Sequence, residues 1–209
     1  VVNVCTDVRW GRTEETYGED PFLVSQMAIA YISAFESRGI ITTPKHFAAN
    51  SGDGGRDSYP IHYNERYMRE VILPPFEESI KFAGARSIMT AYNSYDGTPC
   101  TANDYLLNEI LRKEWGFGGF VISDAGATGG ANVLHFTASD YADATVKSIN
   151  GGLDVIFQTD INHQSLFIPP FLDGRLSNAT IDTSVARILR LKFELGLFEN
   201  PYADPQKAA

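Results

Sequence analysis

Three apolar runs of this chain each stop on a reactive polar side chain. Gly119-Phe120-Val121-Ile122-Ser123 delivers Asp124 to a turn of small residues, Ala125 and Gly126. Ile40-Ile41-Thr42-Thr43-Pro44 delivers Lys45 and His46, and Ser87-Ile88-Met89-Thr90-Ala91 delivers Tyr92 and Asn93. Runs of this kind suit strands buried on both faces. In α/β barrels the chemistry collects at the C-terminal ends of parallel strands, so the three stops are expected to face one pocket. A carboxylate, an ammonium, an imidazole and a phenol together suit an enzyme acting on a polyhydroxylated substrate.

Each of these residues has a plainer role to set against that one. Asp124 alone reads as the N-cap of a following helix, and a lone His46 as a satisfied core histidine. Lys45 tips the balance, because an ammonium is expensive to bury unpaired and a strand-end lysine therefore favours a pocket. A Schiff-base aldolase with Lys45 as the amine nucleophile is an alternative of another class. A non-catalytic sugar-binding or scaffold segment is a further one.

The elements that must position these groups alternate between strand-like and helix-like. Residues 1–5 read as a strand, followed by a polar loop and a helix over 21–38 that opens on Pro21 and stops at Gly39. A second helix is expected over 65–83, broken by Pro74 and Pro75. Further helices are expected over 103–114, 140–150 and 180–195, with a last strand over 153–157. Repetition of this kind means parallel strands joined by crossover helices. About five strands are present where a closed barrel needs eight. An open doubly wound sheet would normally carry a phosphate loop after a strand, and none is found. The expected fold is therefore a parallel (β/α) TIM-like barrel, incomplete in this chain.

The chain has 209 residues, 44% of them hydrophobic, and a formal net charge of −9. That is enough material for a core, and its acidic balance argues against nucleic-acid binding, which needs a basic surface. No apolar run approaches the roughly 20 residues that span a bilayer. Residues 1–5 show no signal-peptide pattern and say little about export. Cys5 and Cys100 read as small packed hydrophobes rather than a bridge. Trp10 and Trp115 read as core. The loop Asp53-Gly54-Gly55-Arg56-Asp57 lacks the alternating oxygen ligands of an EF-hand, and its glycines suggest flexibility that lets Arg56 reach the pocket. No Cys/His cluster has zinc spacing, so neither metal nor cofactor is expected.

Several stretches resemble the catalytic barrel of family 3 glycoside hydrolases. They are Arg9-Trp10-Gly11-Arg12 followed by Glu14-Glu15-Thr16-Tyr17-Gly18-Glu19-Asp20-Pro21; Lys45-His46-Phe47-Ala48-Ala49-Asn50; Leu73-Pro74-Pro75-Phe76; and Met89-Thr90-Ala91-Tyr92-Asn93. Gly116-Phe117 leads to the Ser123-Asp124 stop as in that family, and the similarity runs to Gly196-Leu197-Phe198. The resemblance implies that Asp124 is the nucleophile of a retaining, exo-acting β-glycosidase releasing a terminal β-D-glucosyl residue by double displacement. It places Arg12, Lys45, His46, Arg56, Met89 and Tyr92 around the sugar; Arg9, Glu14 and Glu15, read simply as charges, suit an ion network beneath it. Ala125 stands where β-glucosidases often carry Trp, as in the branch containing many β-xylosidases, so xylose or arabinose substrates stay open.

The resemblance also implies parts beyond these residues. Residues 1–200 correspond to the C-terminal portion of the barrel, and 201–209 to the start of an interdomain linker. A preceding barrel segment, and a following α/β domain carrying the acid/base Glu, are the expected partners, from the same or another chain. The loop used by single-domain β-N-acetylglucosaminidases is not matched, since Phe47 is followed by Ala48-Ala49-Asn50. Residues 1–209 alone are expected neither to fold nor to hydrolyse, because about five strands leave open edges. A periplasmic or secreted location follows from the resemblance, with a cytoplasmic one open; homo-oligomerisation is open too.

Overall fold

A computed structural model describes residues 1–55 and 57–207. Its regular strands are β1 (Ser87–Met89), the short antiparallel pair β2 (Ser94–Tyr95) and β3 (Thr98–Pro99), and β4 (Phe120–Ile122). β1 and β4 run parallel with Ser87, Ile88 and Met89 opposite Phe120, Val121 and Ile122. Ile88 and Val121 have no exposed surface, as expected of strands covered on both faces.

Extended segments continue this sheet on both sides. On one side, Met89 N donates to Pro44 O (3.1 Å) and Phe47 N to Met89 O (2.7 Å). On the other, Ser123 N donates to Val155 O (3.0 Å) and Val155 N to Val121 O (3.0 Å). Val2 N reaches Lys45 O (2.8 Å), so segment 1–5 lies beside 42–47. The spatial order is therefore the chain order, which is the parallel, incomplete barrel expected from the sequence. The expected strands over 1–5, 40–44 and 153–157 are extended segments rather than regular strands, and beside 1–5 part of the pairing is made by Asn3. Its carboxamide donates to His46 O (2.8 Å) and accepts from His46 N (2.7 Å), taking the place of a backbone rung.

The helices follow local signals closely. α1 (Pro21–Glu36) begins with Pro at its first position and with Asp20 accepting from Phe22 N. It buries Val24, Ala28 and Ile32, one every turn, and packs on α3. The region expected as a broken helix is α2 (Glu65–Tyr67), a π-wound stretch Met68–Ile72, and then α3 (Pro74–Lys81), with the break at Leu73. Residues Tyr105–Glu114 wind in π register and bury Leu106, Leu107, Ile110 and Leu111. Before the last helix come α4 (Ala127–Val133), α5 (Tyr141–Asn150), a 3₁₀ stretch Ile161–Leu166 and α6 (Pro169–Leu172). Asp140 caps α5, and Ser177 caps α7 (Asn178–Glu194). The sequence reading did not contain α4 or α6.

The core is built around Phe47, whose ring meets Phe76 edge-on at 5.3 Å and Trp115 at 5.8 Å. Trp10 is also buried, and Cys5 and Cys100 are both buried and free. Gly119, which leads into β4, touches the chain ahead of β1: a Cβ there would collide with the Arg86 carbonyl. Among the described residues no helix is long and apolar enough to cross a membrane.

One buried charge ties the sheet to the helices. Asp154 Oδ2 accepts from Val121 N (2.8 Å) and from Arg112 Nη2 (2.6 Å), while its Oδ1 takes Arg187 Nη1 (2.6 Å). Its side chain is fully buried, so removing it would leave two guanidinium groups and a strand N–H without their acceptor. Asp154→Ala is expected to destabilise the fold by about 3–5 kcal/mol, measured by urea denaturation. A loss under about 1 kcal/mol would show that the two arginines find other partners.

Candidate functional site

Asp124 follows β4 by two residues and keeps only 8% of its surface exposed. Its Oδ1 accepts from Ala125 N at 2.7 Å. It does not cap the following helix: the N-cap of α4 is Gly126, at φ 73°. Oδ2 points instead towards His46, 3.3 Å from Nε2. That contact falls outside hydrogen-bond geometry, and both atoms lack a hydrogen-bond partner among the described residues.

His46 is completely buried, and its protonation follows from Asn3. Asn3 donates through Nδ2 to His46 O, which fixes Oδ1 as the atom facing His46 N and Nδ1, the latter at 3.1 Å. Nδ1 therefore carries the hydrogen, and Nε2 presents a lone pair towards Asp124. Burial holds the imidazole far below the usual histidine value, at about 2, with the Arg12 and Lys45 charges adding to the effect. A neutral imidazole and a carboxylate thus face each other as two acceptors. What the pair lacks is a hydrogen-bond donor, which a ligand would have to supply from the side.

Tyr92 closes another side. Its hydroxyl donates to Ala125 O (3.1 Å), and burial followed by the Asp124 charge pushes its pKa up to about 12. The phenol is therefore a donor throughout the neutral range. Its backbone carbonyl accepts from His135 Nε2 at 2.7 Å, a brace that sequence reasoning missed. Met89 sits at the end of β1, with Phe47 N bonded to its carbonyl. Lys45 is half-buried and makes no ion pair within 4.0 Å among the described residues. Arg12 is at the rim, held bidentately by Glu15 at 2.6 and 2.8 Å, yet near enough to Asp57 and Asp124 for their charges to favour its protonated form after Glu15 itself. Arg9 pairs with Asp7 rather than with the glutamates. Arg56 lies outside the described residues. The structure thus gathers Asp124, His46 and Tyr92 at adjoining strand ends, with Arg12 within reach of their charges.

Among the described residues no group of three or more His, Cys, Asp or Glu could hold a metal ion. What the site offers is a buried carboxylate with one uncommitted oxygen, a phenolic donor and nearby cations, set where parallel strands end. This is the arrangement of an α/β-barrel acid–base or nucleophilic site.

Comparison with known proteins carries this further. The model of the glycosyl hydrolase family 3 N terminal domain matches residues 1–191. A beta-xylosidase of Formosa agariphila is 36% identical over 96% of this chain and 30% of its own length. A periplasmic beta-glucosidase of Salmonella typhimurium is 32% identical over 97% of this chain and 27% of its own. The solved structure of a β-glucosidase from Erythrobacter marinus superposes with a TM-score of 0.91 at 37% identity, covering 98% of this chain and 28% of that one. This chain belongs to glycosyl hydrolase family 3. It spans less than a third of the length of these relatives.

The buried neutral imidazole has a consequence for acid stability. In the unfolded chain His46 takes up a proton near 6.5, whereas in the fold it stays neutral down to about 2. Below pH 6.5 the unfolded state therefore binds more protons, and the His46 contribution to stability falls as pH falls, by up to about 1.4 kcal/mol per unit. Denaturation of the wild type and of His46→Gln between pH 7.5 and 4.5 measures it, and the variant is expected to show the shallower acid slope. Identical slopes would mean that the folded imidazole binds its proton at the ordinary pH.

Proposed function

We propose that this chain is the nucleophile-bearing barrel segment of a retaining, exo-acting β-glycosidase, with Asp124 as the nucleophile. The observation carrying this reading is the Asp124 Oδ2 atom: buried at the end of β4, 3.3 Å from His46 Nε2, and without a hydrogen-bond partner among the described residues. An oxygen committed to capping or to an ion pair would be a weaker nucleophile. In the first step Oδ2 forms a bond to the anomeric carbon as the bond to the departing oxygen breaks. In the second, water displaces the carboxylate, and the two inversions give net retention.

The surrounding groups suit an uncharged, hydroxyl-rich substrate. A hydroxyl entering beside His46 Nε2 supplies the missing donor hydrogen, and the Lys45 ammonium can donate to that hydroxyl's oxygen. Sites built this way discriminate strongly, since an analogue lacking the hydroxyl leaves buried groups unpaired. Arg12, Lys45, His46, Arg56, Met89 and Tyr92 line the position of the terminal sugar in this reading. The carboxyl group that protonates the departing oxygen must stand about 5–5.5 Å from the nucleophile. It comes here from an α/β domain following the linker at 201–209, and a preceding barrel segment closes the sheet beside residues 1–5. Relatives that cover several times the length of this chain support both additions.

Glucose is the preferred terminal sugar in this proposal, and xylose the second reading. Ala125 in place of a bulky residue after the nucleophile favours the latter, as does a 36% identical relative named a beta-xylosidase.

Asp124→Gly in the protein is expected to lower turnover of an aryl β-glucoside on the order of 10⁴-fold. Azide should restore part of it, giving the glycosyl azide of inverted configuration, because a small anion fits the vacated carboxylate position. Parallel assays with aryl β-xyloside assign the sugar. Wild-type rates in Asp124→Gly would remove Asp124 from the mechanism.

A further inference from the structure

Asp57 is a second carboxylate beside the Asp124 site, and its surroundings are built with care. Oδ1 accepts two hydrogen bonds, from Trp10 Nε1 (3.1 Å) and from Asn50 Nδ2 (2.7 Å). Trp10 and Asn50 are themselves buried, so this oxygen cannot wander. The backbone is held as well. Asp57 pairs with Ser51 across its loop, and Gly55 packs so closely on the Arg9–Trp10 backbone that a Cβ would lie 2.6 Å from Trp10 N. Gly55 thus sets this part of the loop against the Arg9–Trp10 turn, while a Cβ at Gly54 would have no neighbour within 4 Å.

Oδ2 has no hydrogen-bond partner among the described residues. On the same loop, the Asn50 Oδ1 and Ser51 Oγ atoms are buried and equally unpartnered. Buried polar atoms without partners are costly, and two on one loop beside a free carboxylate oxygen point to a polar ligand. The charges facing Asp57 place it at the site already described. Burial raises its pKa and the Trp10 hydrogen bond opposes this; Arg12 lowers it, while Asp124 and then Glu15 raise it. Tyr92 responds to both Asp124 and Asp57.

We propose that Asp57 orients the substrate, its Oδ2 accepting a hydrogen bond from a hydroxyl of the sugar bound over Asp124. The assignment rests on the glycosidase reading and adds to it a specificity-determining carboxylate from the loop after Lys45-His46. A sugar hydroxyl is the ligand chemistry that fits, because its hydrogen can go to Oδ2 while its oxygen stays free to accept from a neighbouring donor.

Asp57→Asn is the discriminating variant. Its amide oxygen can still serve Trp10 and Asn50, while Oδ2 becomes an NH₂ group, a donor where an acceptor stood. In the protein, kcat/KM is measured for an aryl β-glycoside and its monodeoxy analogues, alongside melting temperature. The expected result is a loss of about 10- to 100-fold on the parent glycoside, the weight of a hydrogen bond to a charged acceptor. On one monodeoxy analogue, already slow with wild type, the substitution should cost little more. An equal factor on every substrate, or no loss at all, overturns the proposal and leaves Asp57 as an anchor for Trp10. If the wild type hydrolyses no glycoside while Asp57→Asn melts normally, the glycosidase reading itself falls and this assignment with it.

Discussion

The parallel register between β1 and β4 is the constraint on which the site depends. Met89 stands opposite Ile122, so the residues that follow each strand, Tyr92 in one case and Asp124 in the other, emerge at the same edge of the sheet. The Tyr92 hydroxyl then reaches the Ala125 carbonyl. Phe47 N bonded to Met89 O sets the neighbouring segment in step, which brings His46 to Asp124. A slip of one residue would send every side chain of a strand to the opposite face. The buried apolar pair Ile88 and Val121 opposes such a slip, and so does Asp154, which grips the Val121 amide and two arginines at once.

Within that frame the electrostatics are set by hydrogen-bond bookkeeping rather than by pairing of opposite charges. Asn3 decides which imidazole nitrogen holds the hydrogen, and burial decides that there is only one. Tyr92 stays protonated for the same reason, its ionised form being penalised by burial and by Asp124. The cations stand back: Arg12 is claimed by Glu15, and Lys45 makes no close ion pair among the described residues. In the proposed reading, an Asp124 carboxylate without a paired cation keeps more of its nucleophilicity.

Much of this was legible in the sequence, and the reasons are local. Asp20-Pro21, Asp140 and Ser177 announce helix starts through short-range hydrogen bonds, and Pro74 marks a break wherever it occurs. The strand ends at Lys45, Tyr92 and Asp124 were readable because two-faced strands are apolar runs that end abruptly. What could not be read depends on distant partners. Asn3 looks like an ordinary strand residue until it meets His46, and Asp57 like a loop residue until Trp10 reaches it. His135 carries no signal of its bond to the Tyr92 carbonyl. α4 escaped because Gly129 and Gly130 sit within it, which lowers intrinsic helix preference, and its packing on α5 compensates. The N-cap alternative for Asp124 was sound by propensity. The chain gives that position to Gly126, which leaves the carboxylate uncommitted.

The contact of Gly119 with the Arg86 carbonyl bears on how this sequence can diverge. The apolar positions of β1 and β4 can exchange Ile, Val and Leu with modest repacking, and rim positions such as Arg9 can drift almost freely. Gly119 has no such neighbours in sequence space, since every other amino acid carries the atom that the Arg86 backbone excludes. Because the obstacle is backbone, no compensating side-chain change elsewhere can make room. A side chain at position 119 would therefore have to push β4 away from β1, whereas changes at the pocket rim leave that approach intact.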